Sequence, residues 1–199
     1  MKRIFKLIII SCFVILITGC KDIFTRENEV IDYLTGKYKV EMSIKDYGKV
    51  LIELNADKAP ITVTNFMDLV RKGAYDGNKI HRISKDFVIQ AGENIPGQNI
   101  KGEFLANGVD NDISHKRGVI SMARAGSQTE GYNTASTQFF IVVNDSTYLD
   151  NYYAGFGEVI KGMDVVDKVN KKSVKTDNMG NILNEADMPV IEYIKEIEK

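Results

Sequence analysis

From residue 80 to residue 92 the chain reads IHRISKDFVIQAG. Two short apolar runs lie on either side of a polar turn at 84–86, which predicts a strand, a turn and a second strand. Successive side chains of a strand point to opposite faces, so Val88 and Gln90 share a face, and Phe87 at the turn can lean toward them. The pattern therefore brings Arg82, Phe87 and Gln90 together within one hairpin.

A second informative segment reads STQFFI at 136–141, after SMARA at 121–125. In an extended segment Gln138 and Phe140 point one way, while Phe139 points the other way. One phenylalanine ring can then fill a hydrophobic core while its neighbour forms the floor of a groove on the opposite face.

The remaining pattern is dominated by short strands. Alternation from Tyr38 to Lys45 and the apolar run at 50–54 predict two strands, and a third is predicted at 190–197. One helix is expected between Pro60 and Gly73, and another between Gly162 and Lys171. Further short apolar runs occur at 80–83, 87–90, 119–123, 138–143 and 156–160. So many short strands favour an all-β sandwich or barrel.

Composition limits the classes of function. The 199 residues are 44% apolar and 27% charged, which fits one globular domain with a short appendage. With 26 basic and 27 acidic residues there is no net field to attract nucleic acid, so no nucleic-acid partner is expected. The two histidines, His81 and His115, fall short of a three-ligand metal set, and no metal or other cofactor is predicted.

The N-terminus has the pattern of an export signal. A basic start is followed by an apolar run from 7 to 17 that is too short for a comfortable permanent span. Residues 1–19 are therefore predicted to be a signal peptide. A plain cleaved signal and an uncleaved anchor are the alternatives.

The end of this segment, ITGC at 17–20, resembles the bacterial lipobox. That resemblance implies that Cys20 is lipidated and becomes the new N-terminus, with 20–36 as a lipidated tether and 37–199 as the functional domain. Acyl chains hold a soluble domain on a bilayer because each buried methylene contributes about 0.8 kcal/mol. We therefore expect a lipoprotein bound to the extracytoplasmic face of the cell membrane.

Taken together, the two segments resemble the cyclophilin family of peptidyl-prolyl cis/trans isomerases over about 40–197. The resemblance implies a mainly β fold, a closed eight-stranded antiparallel barrel capped by two α-helices, with the substrate groove on its outer surface. It implies an isomerase that rotates Xaa-Pro bonds and, combined with the export signal, one that assists the folding of exported proteins. Its partners would be Pro-containing segments, and a monomer is expected.

The same resemblance assigns roles to individual residues. The catalytic set that it implies is Arg82, Gln90 and Phe140. The implied substrate-binding residues are His81, Phe87, Val88, Ala123, Arg124, Gln138, Tyr148, Leu149 and Tyr153. Tyr148 stands where cyclosporin-sensitive members have tryptophan, Tyr153 stands where eukaryotic members have histidine, and the segment 126–135 is a few residues longer than in close bacterial relatives.

These residue types suit the chemistry. Conjugation across an Xaa-Pro bond raises a rotational barrier of about 18–20 kcal/mol, and a dry apolar pocket disfavours the more dipolar planar amide. A fixed guanidinium such as Arg82 can donate a hydrogen bond to the twisted nitrogen or hold the neighbouring carbonyl. Two alternatives stay open from sequence alone, namely a non-catalytic module that binds Pro-containing peptides and a surface interaction protein of the same fold.

Overall fold

The computed structural model describes residues 32–127 and 129–197. The predicted signal peptide, Cys20 and most of the predicted tether lie outside the described residues. Eight strands and two α-helices make up the described part. The strands are β1 (Lys37–Ile44), β2 (Gly48–Asn55), β3 (Arg82–Ser84), β4 (Val88–Ala91), β5 (Val119–Met122), β6 (Phe139–Val142), β7 (Gly155–Lys161) and β8 (Ile191–Ile197). The helices are α1 (Pro60–Arg71) and α2 (Met163–Asn170).

Both helices occupy the predicted segments, and their ends have local causes. Helix α1 begins at Pro60, whose fixed φ suits a first helical position, and the chain leaves it through Gly73 at a φ of 64°. Helix α2 follows Gly162, which has a φ of 93°. None of the described helices is long and apolar enough to cross a membrane.

All eight strands form one antiparallel sheet in the order β3-β4-β6-β5-β7-β2-β1-β8. The mainly β class, the strand number and the two helices are as predicted, but the closed barrel is wrong. The sheet is a curled half-barrel, since β3 and β8 lie at its two edges. Between the segments that precede these strands there is one isolated bridge, Lys79 with Val190.

A later loop, and not β8, occupies the outer edge of β3, and this explains why the sheet stays open there. Strand β3 has three residues, and its outer edge pairs with a later loop: Ile83 N donates to Gly180 O at 2.9 Å, and Ile182 N donates to His81 O at 2.8 Å. Gly180 has a φ of 89°, and a Cβ there would lie 2.8 Å from the Ile83 carbonyl oxygen. Only glycine lets the loop lie this close, and the loop occupies the edge that β8 would need.

Two hydrophobic clusters lie on opposite faces of the sheet. The main core contains Phe139 and Ile89, with Phe139 edge-on to Phe66 at a centroid distance of 5.5 Å. Their neighbours Phe140 and Val88 belong to a second, smaller cluster. The predicted alternation of Phe139 and Phe140 is therefore confirmed, and the second cluster forms the floor of the candidate site.

The chain before β1 contacts the folded domain. Leu34 N donates to Thr64 Oγ1 at 2.9 Å, and Gly36 N donates to Asp57 Oδ1 at 2.7 Å. Leu34 also packs against the main core. The last residues of the segment predicted as a tether are thus bound to the domain.

Candidate active site

A pocket of about 320 Å³ opens above the second hydrophobic cluster. It gathers most of the residues predicted for the site, all of them except His81, Gln138 and Tyr148. Its lining residues are Arg82, Phe87, Val88, Gln90, Ala123, Arg124, Gly126, Phe140, Leu149, Tyr153, Met179 and Asn181. Sequence reasoning missed Gly126, Met179 and Asn181, and the last two lie about ninety residues beyond the β3–β4 hairpin, so no local pattern connects them to it.

The pocket floor is apolar and almost fully buried. Phe140 is 5% exposed and packs with Val88 and Leu149, while the ring of Tyr153 meets Phe140 edge-on at 5.9 Å. Leu149 is held at the end of a short 3-10 turn, where its backbone N–H donates to the Ser146 carbonyl at 3.0 Å. An apolar ring such as that of proline fits such a floor.

Arg82 lies on the rim and is fixed at two points. Its Nε donates to the Met179 carbonyl at 2.7 Å, and its Nη1 donates to Gln90 Oε1 at 2.9 Å. The guanidinium carbon lies 5.8 Å from the Phe87 ring centroid. Burial lowers the pKa of Arg82 from its ordinary value, but an arginine keeps its charge at neutral pH.

Gln90 connects Arg82 with the next strand. Cross-strand pairing places Gln90 opposite Arg82 on one side and opposite Phe140 on the other. Its Nε2 donates to Gln138 Oε1 at 2.8 Å while its Oε1 accepts from Arg82. Because the amide has a donor and an acceptor in use, its orientation is fixed, and it orients the guanidinium in turn.

Arg124 stands on the other side of the pocket and has a different kind of support. Its Nε donates to the Tyr152 carbonyl at 2.8 Å, and its Nη1 donates to the carbonyls of Ser127 and Glu130, both at 2.7 Å. The guanidinium carbon lies 4.7 Å from the Tyr153 ring centroid. The side chain therefore connects the backbone of Ser127 and Glu130 to the turn that carries Tyr153.

A second pocket of about 270 Å³ adjoins the first, and Gln90, Ala123 and Arg124 line both. Gln138 belongs to this second pocket, which is otherwise lined by small and hydroxyl-bearing residues. These are Ala125, Thr134, Ser136 and Thr137.

Two predicted substrate contacts lie elsewhere. His81 is 7% exposed and lines a separate groove with Glu93 and Lys79, because it is the neighbour of Arg82 in an extended segment and faces the opposite way. The geometry therefore does not bring His81 to the pocket. Tyr148 is 61% exposed and stacks on Phe87 at a centroid distance of 6.1 Å, which places it at the outer rim.

Beneath Phe140 lies a buried chain of polar groups. His115 is fully buried, with Nδ1 2.9 Å from Asp150 Oδ1 and Nε2 2.9 Å from Ser121 Oγ, and its ring stacks on Phe140 at 6.2 Å. The order resembles a hydrolase triad, but Ser121 has no exposed surface and cannot meet a substrate. Burial lowers the pKa of His115, and the hydrogen bond with Asp150 opposes that shift. These hydrogen-bonded side chains support the pocket floor from beneath Phe140.

No cluster of three or more His, Cys, Asp or Glu side chains arranged to hold a metal occurs within 32–127 and 129–197. The groups that the pocket itself presents are an apolar floor, a fixed guanidinium and side-chain amides.

Comparisons with known proteins agree with this geometry. A family model described as cyclophilin-type peptidyl-prolyl cis-trans isomerase matches residues 39–192. Peptidyl-prolyl cis-trans isomerase A of Dickeya dadantii is 38% identical over 151 residues, which is 72% of this chain and 76% of that protein. A peptidyl-prolyl cis-trans isomerase of Streptomyces antibioticus is 37% identical over 162 residues, 76% of this chain and 92% of that protein.

The fold also resembles solved structures. One is a cyclophilin-type isomerase of Cryptosporidium parvum, crystallised in the presence of the dipeptide Ala-Pro, with a TM-score of 0.67. The match covers 81% of this chain and 99% of that one at 23% identity, so it supports the fold.

Proposed function

This chain belongs to the cyclophilin-type peptidyl-prolyl cis-trans isomerase family and is an isomerase of that kind, and we propose that it rotates Xaa-Pro bonds of exported proteins beside a membrane. The observation that carries the proposed mechanism is the fixed guanidinium of Arg82 at the rim of the apolar pocket floored by Phe140. The Ala-Pro dipeptide used with the Cryptosporidium parvum relative supports Pro-containing segments as substrates.

The proposed mechanism needs no covalent step. Proline sits on Phe140 and Leu149, where little water reaches it, so the planar and more dipolar amide is disfavoured relative to the twisted one. As the amide twists, its nitrogen regains a lone pair, and the Arg82 guanidinium donates a hydrogen bond to it or holds the neighbouring carbonyl. Gln90 holds the Arg82 guanidinium in place, while Gln138 and the backbone at 123–124 orient one side of the bond as the other side rotates.

Removing Arg82 tests this mechanism. Arg82→Ala deletes a charged donor whose contribution is about 1.5–4 kcal/mol, so the catalysed exchange rate should fall by roughly one to three decades. NMR exchange spectroscopy on an Ala-Pro peptide measures the rate for residues 20–199 carrying Cys20→Ser, which keeps the chain free of lipid. Arg71→Ala is the matched control, because Arg71 lies on α1 and pairs with Glu196 on the surface.

Two outcomes would contradict the proposal. If the folded native chain bound the peptide without accelerating exchange, it would be a non-catalytic binding module. If Arg82→Ala exchanged the peptide as fast as the native chain, the guanidinium would have no part in catalysis.

The membrane location rests on the sequence pattern at 1–20. Lipid on Cys20 would attach the chain to the bilayer, because the acyl chains partition into it. Mass spectrometry of the membrane fraction should show an N-terminal Cys20 with acyl mass, and Cys20→Ser should release the protein from the membrane. An unmodified Cys20 thiol would rule out the anchor.

A further inference from the structure

Two arginines flank the candidate active site, and neither is neutralised by a carboxylate. Arg82 and Arg124 both line the main pocket, and neither takes part in any ion pair formed within the described residues. Their hydrogen-bond acceptors are backbone carbonyls and the neutral amide of Gln90. These acceptors position the cations without cancelling their charge.

Among the described residues, no carboxylate that lines the site neutralises the charges of these two arginines either. No aspartate or glutamate occurs among the described residues that line the two adjoining pockets. Near Arg82, the Asp177 carboxylate accepts hydrogen bonds from Met179 N and Asn181 N and forms no ion pair with the guanidinium, although its charge partly opposes the lowering of the Arg82 pKa by burial. Glu130 offers Arg124 its backbone carbonyl. A chain with a net charge of −1 thus has a groove that carries two unpaired positive charges.

Arg124 is the more informative of the two arginines. Its guanidinium carbon lies within 5.5 Å of the ring centroids of Phe104, Tyr132 and Tyr153, and its Nη2 is buried without a hydrogen-bond partner. Rings and carbonyls hold the cation at the wall shared by the two pockets. A charge that is fixed in a partly desolvated wall acts on a nearby ligand more strongly than a mobile charge in water.

We propose that the enzyme prefers Pro-containing segments that carry an aspartate or glutamate close to the proline, with the acidic side chain in the pocket beside Arg124. This preference rests on the proposed function, since proline must occupy the pocket floored by Phe140. The adjoining pocket holds about 270 Å³, enough for one side chain, and the hydroxyl of Ser136 and the amide nitrogen of Gln138 can donate to a carboxylate there. An acidic side chain gains electrostatic attraction there, and a lysine at the same position is repelled.

Peptides that differ at a single position test the preference on the native protein. Each peptide carries Glu, Gln or Lys at one of the three positions that precede the Xaa-Pro pair or at one of the two positions that follow it. The value of kcat/KM for each peptide is measured by NMR exchange at low salt. At one position we expect Glu to exceed Gln by about three- to tenfold and Gln to exceed Lys. The difference should shrink at 0.5 M salt, because screening weakens partly exposed charge pairs.

Variants then assign the preference to Arg124. Arg124→Gln should reduce the Glu-to-Gln ratio to about one, whereas Arg124→Lys should keep part of it. Arg71→Gln removes the same charge from the distant surface of α1 and should leave the ratio unchanged. Thermal melting shows whether Arg124→Gln remains folded, and the peptide series on the native chain decides the preference without any variant.

The outcomes separate this proposal from the proposed function. Equal kcat/KM for Glu, Gln and Lys at every position would overturn the preference while isomerase activity stands. A Glu preference that persists in folded Arg124→Gln would overturn the assignment to Arg124. If no peptide were turned over, the proposed function would fail, and titration of the same peptides by NMR would still show whether Glu binds more tightly than Gln.

Discussion

Replacing Gln90 by leucine tests whether Gln90 acts by positioning Arg82. The substitution keeps the side-chain size but removes the acceptor 2.9 Å from Arg82 Nη1, so the guanidinium keeps its bond to the Met179 carbonyl alone. A hydrogen bond to a charged group contributes about 1.5–3 kcal/mol, and water replaces part of it because Arg82 is half-buried. We expect transition-state stabilisation to fall by about 1–2 kcal/mol, a roughly five- to thirtyfold loss in kcat/KM.

NMR exchange on an Ala-Pro peptide measures this effect, and the loss should lie mainly in kcat because the apolar floor is intact. Gln90→Glu keeps an acceptor for Arg82 and should recover much of the rate. The decisive comparison introduces Gln90→Leu into the Arg82→Ala background, where it should have little further effect. If the losses in kcat/KM caused by Gln90→Leu and by Arg82→Ala multiply in full in the double variant, Gln90 acts through a contact of its own with substrate. That result would refute the positioning argument.

Two further substitutions test the support of the site. Phe140→Ala removes a ring that is 5% exposed, so the free energy of unfolding measured in urea titrations should fall by about 3–5 kcal/mol. Phe140→Leu should reduce the free energy of unfolding clearly less. A loss below about 1 kcal/mol for Phe140→Ala would contradict the packing described. Burial holds the pKa of His115 below its unfolded value of 6.5, so the unfolded chain binds the proton more readily and stability should decrease as pH falls through 6.5 toward the folded-state value. His115→Gln should weaken that decrease in melting temperature between pH 7 and pH 5, and an unchanged pH profile would contradict it. His81, whose pKa burial also lowers, contributes to the pH dependence that remains.

The predictions that held depend on short-range geometry. The alternation of side chains along 136–141 predicted that Phe139 and Phe140 lie on opposite faces of the sheet, because side chains of a strand alternate whatever lies around them. Pro60 and Gly73 predicted the limits of α1 for a similar reason, since backbone conformation at these residues is a local property. The same alternation could have excluded His81 from the pocket, because its neighbour Arg82 already points there.

The parts that sequence could not predict depend on contacts between distant segments. The loop at 180–182 takes the edge of β3 and leaves the sheet a half-barrel, and the same loop brings Met179 to Arg82. The side chain of Arg124 finds its acceptors on two loops and its rings on three segments. The spacing of residues along the sequence does not predict such contacts between distant segments.

The amino-acid sequence by itself thus determined the elements, the faces of the strands and the family to which the site belongs, because these follow from local backbone geometry and from residue types in order. The tertiary structure alone decided that the sheet stays open, that Gln90 holds Arg82 in place, and that two unpaired guanidinium groups face one groove. Charge compensation depends on which side chains meet across the fold, and that is settled only when distant parts of the chain pack together.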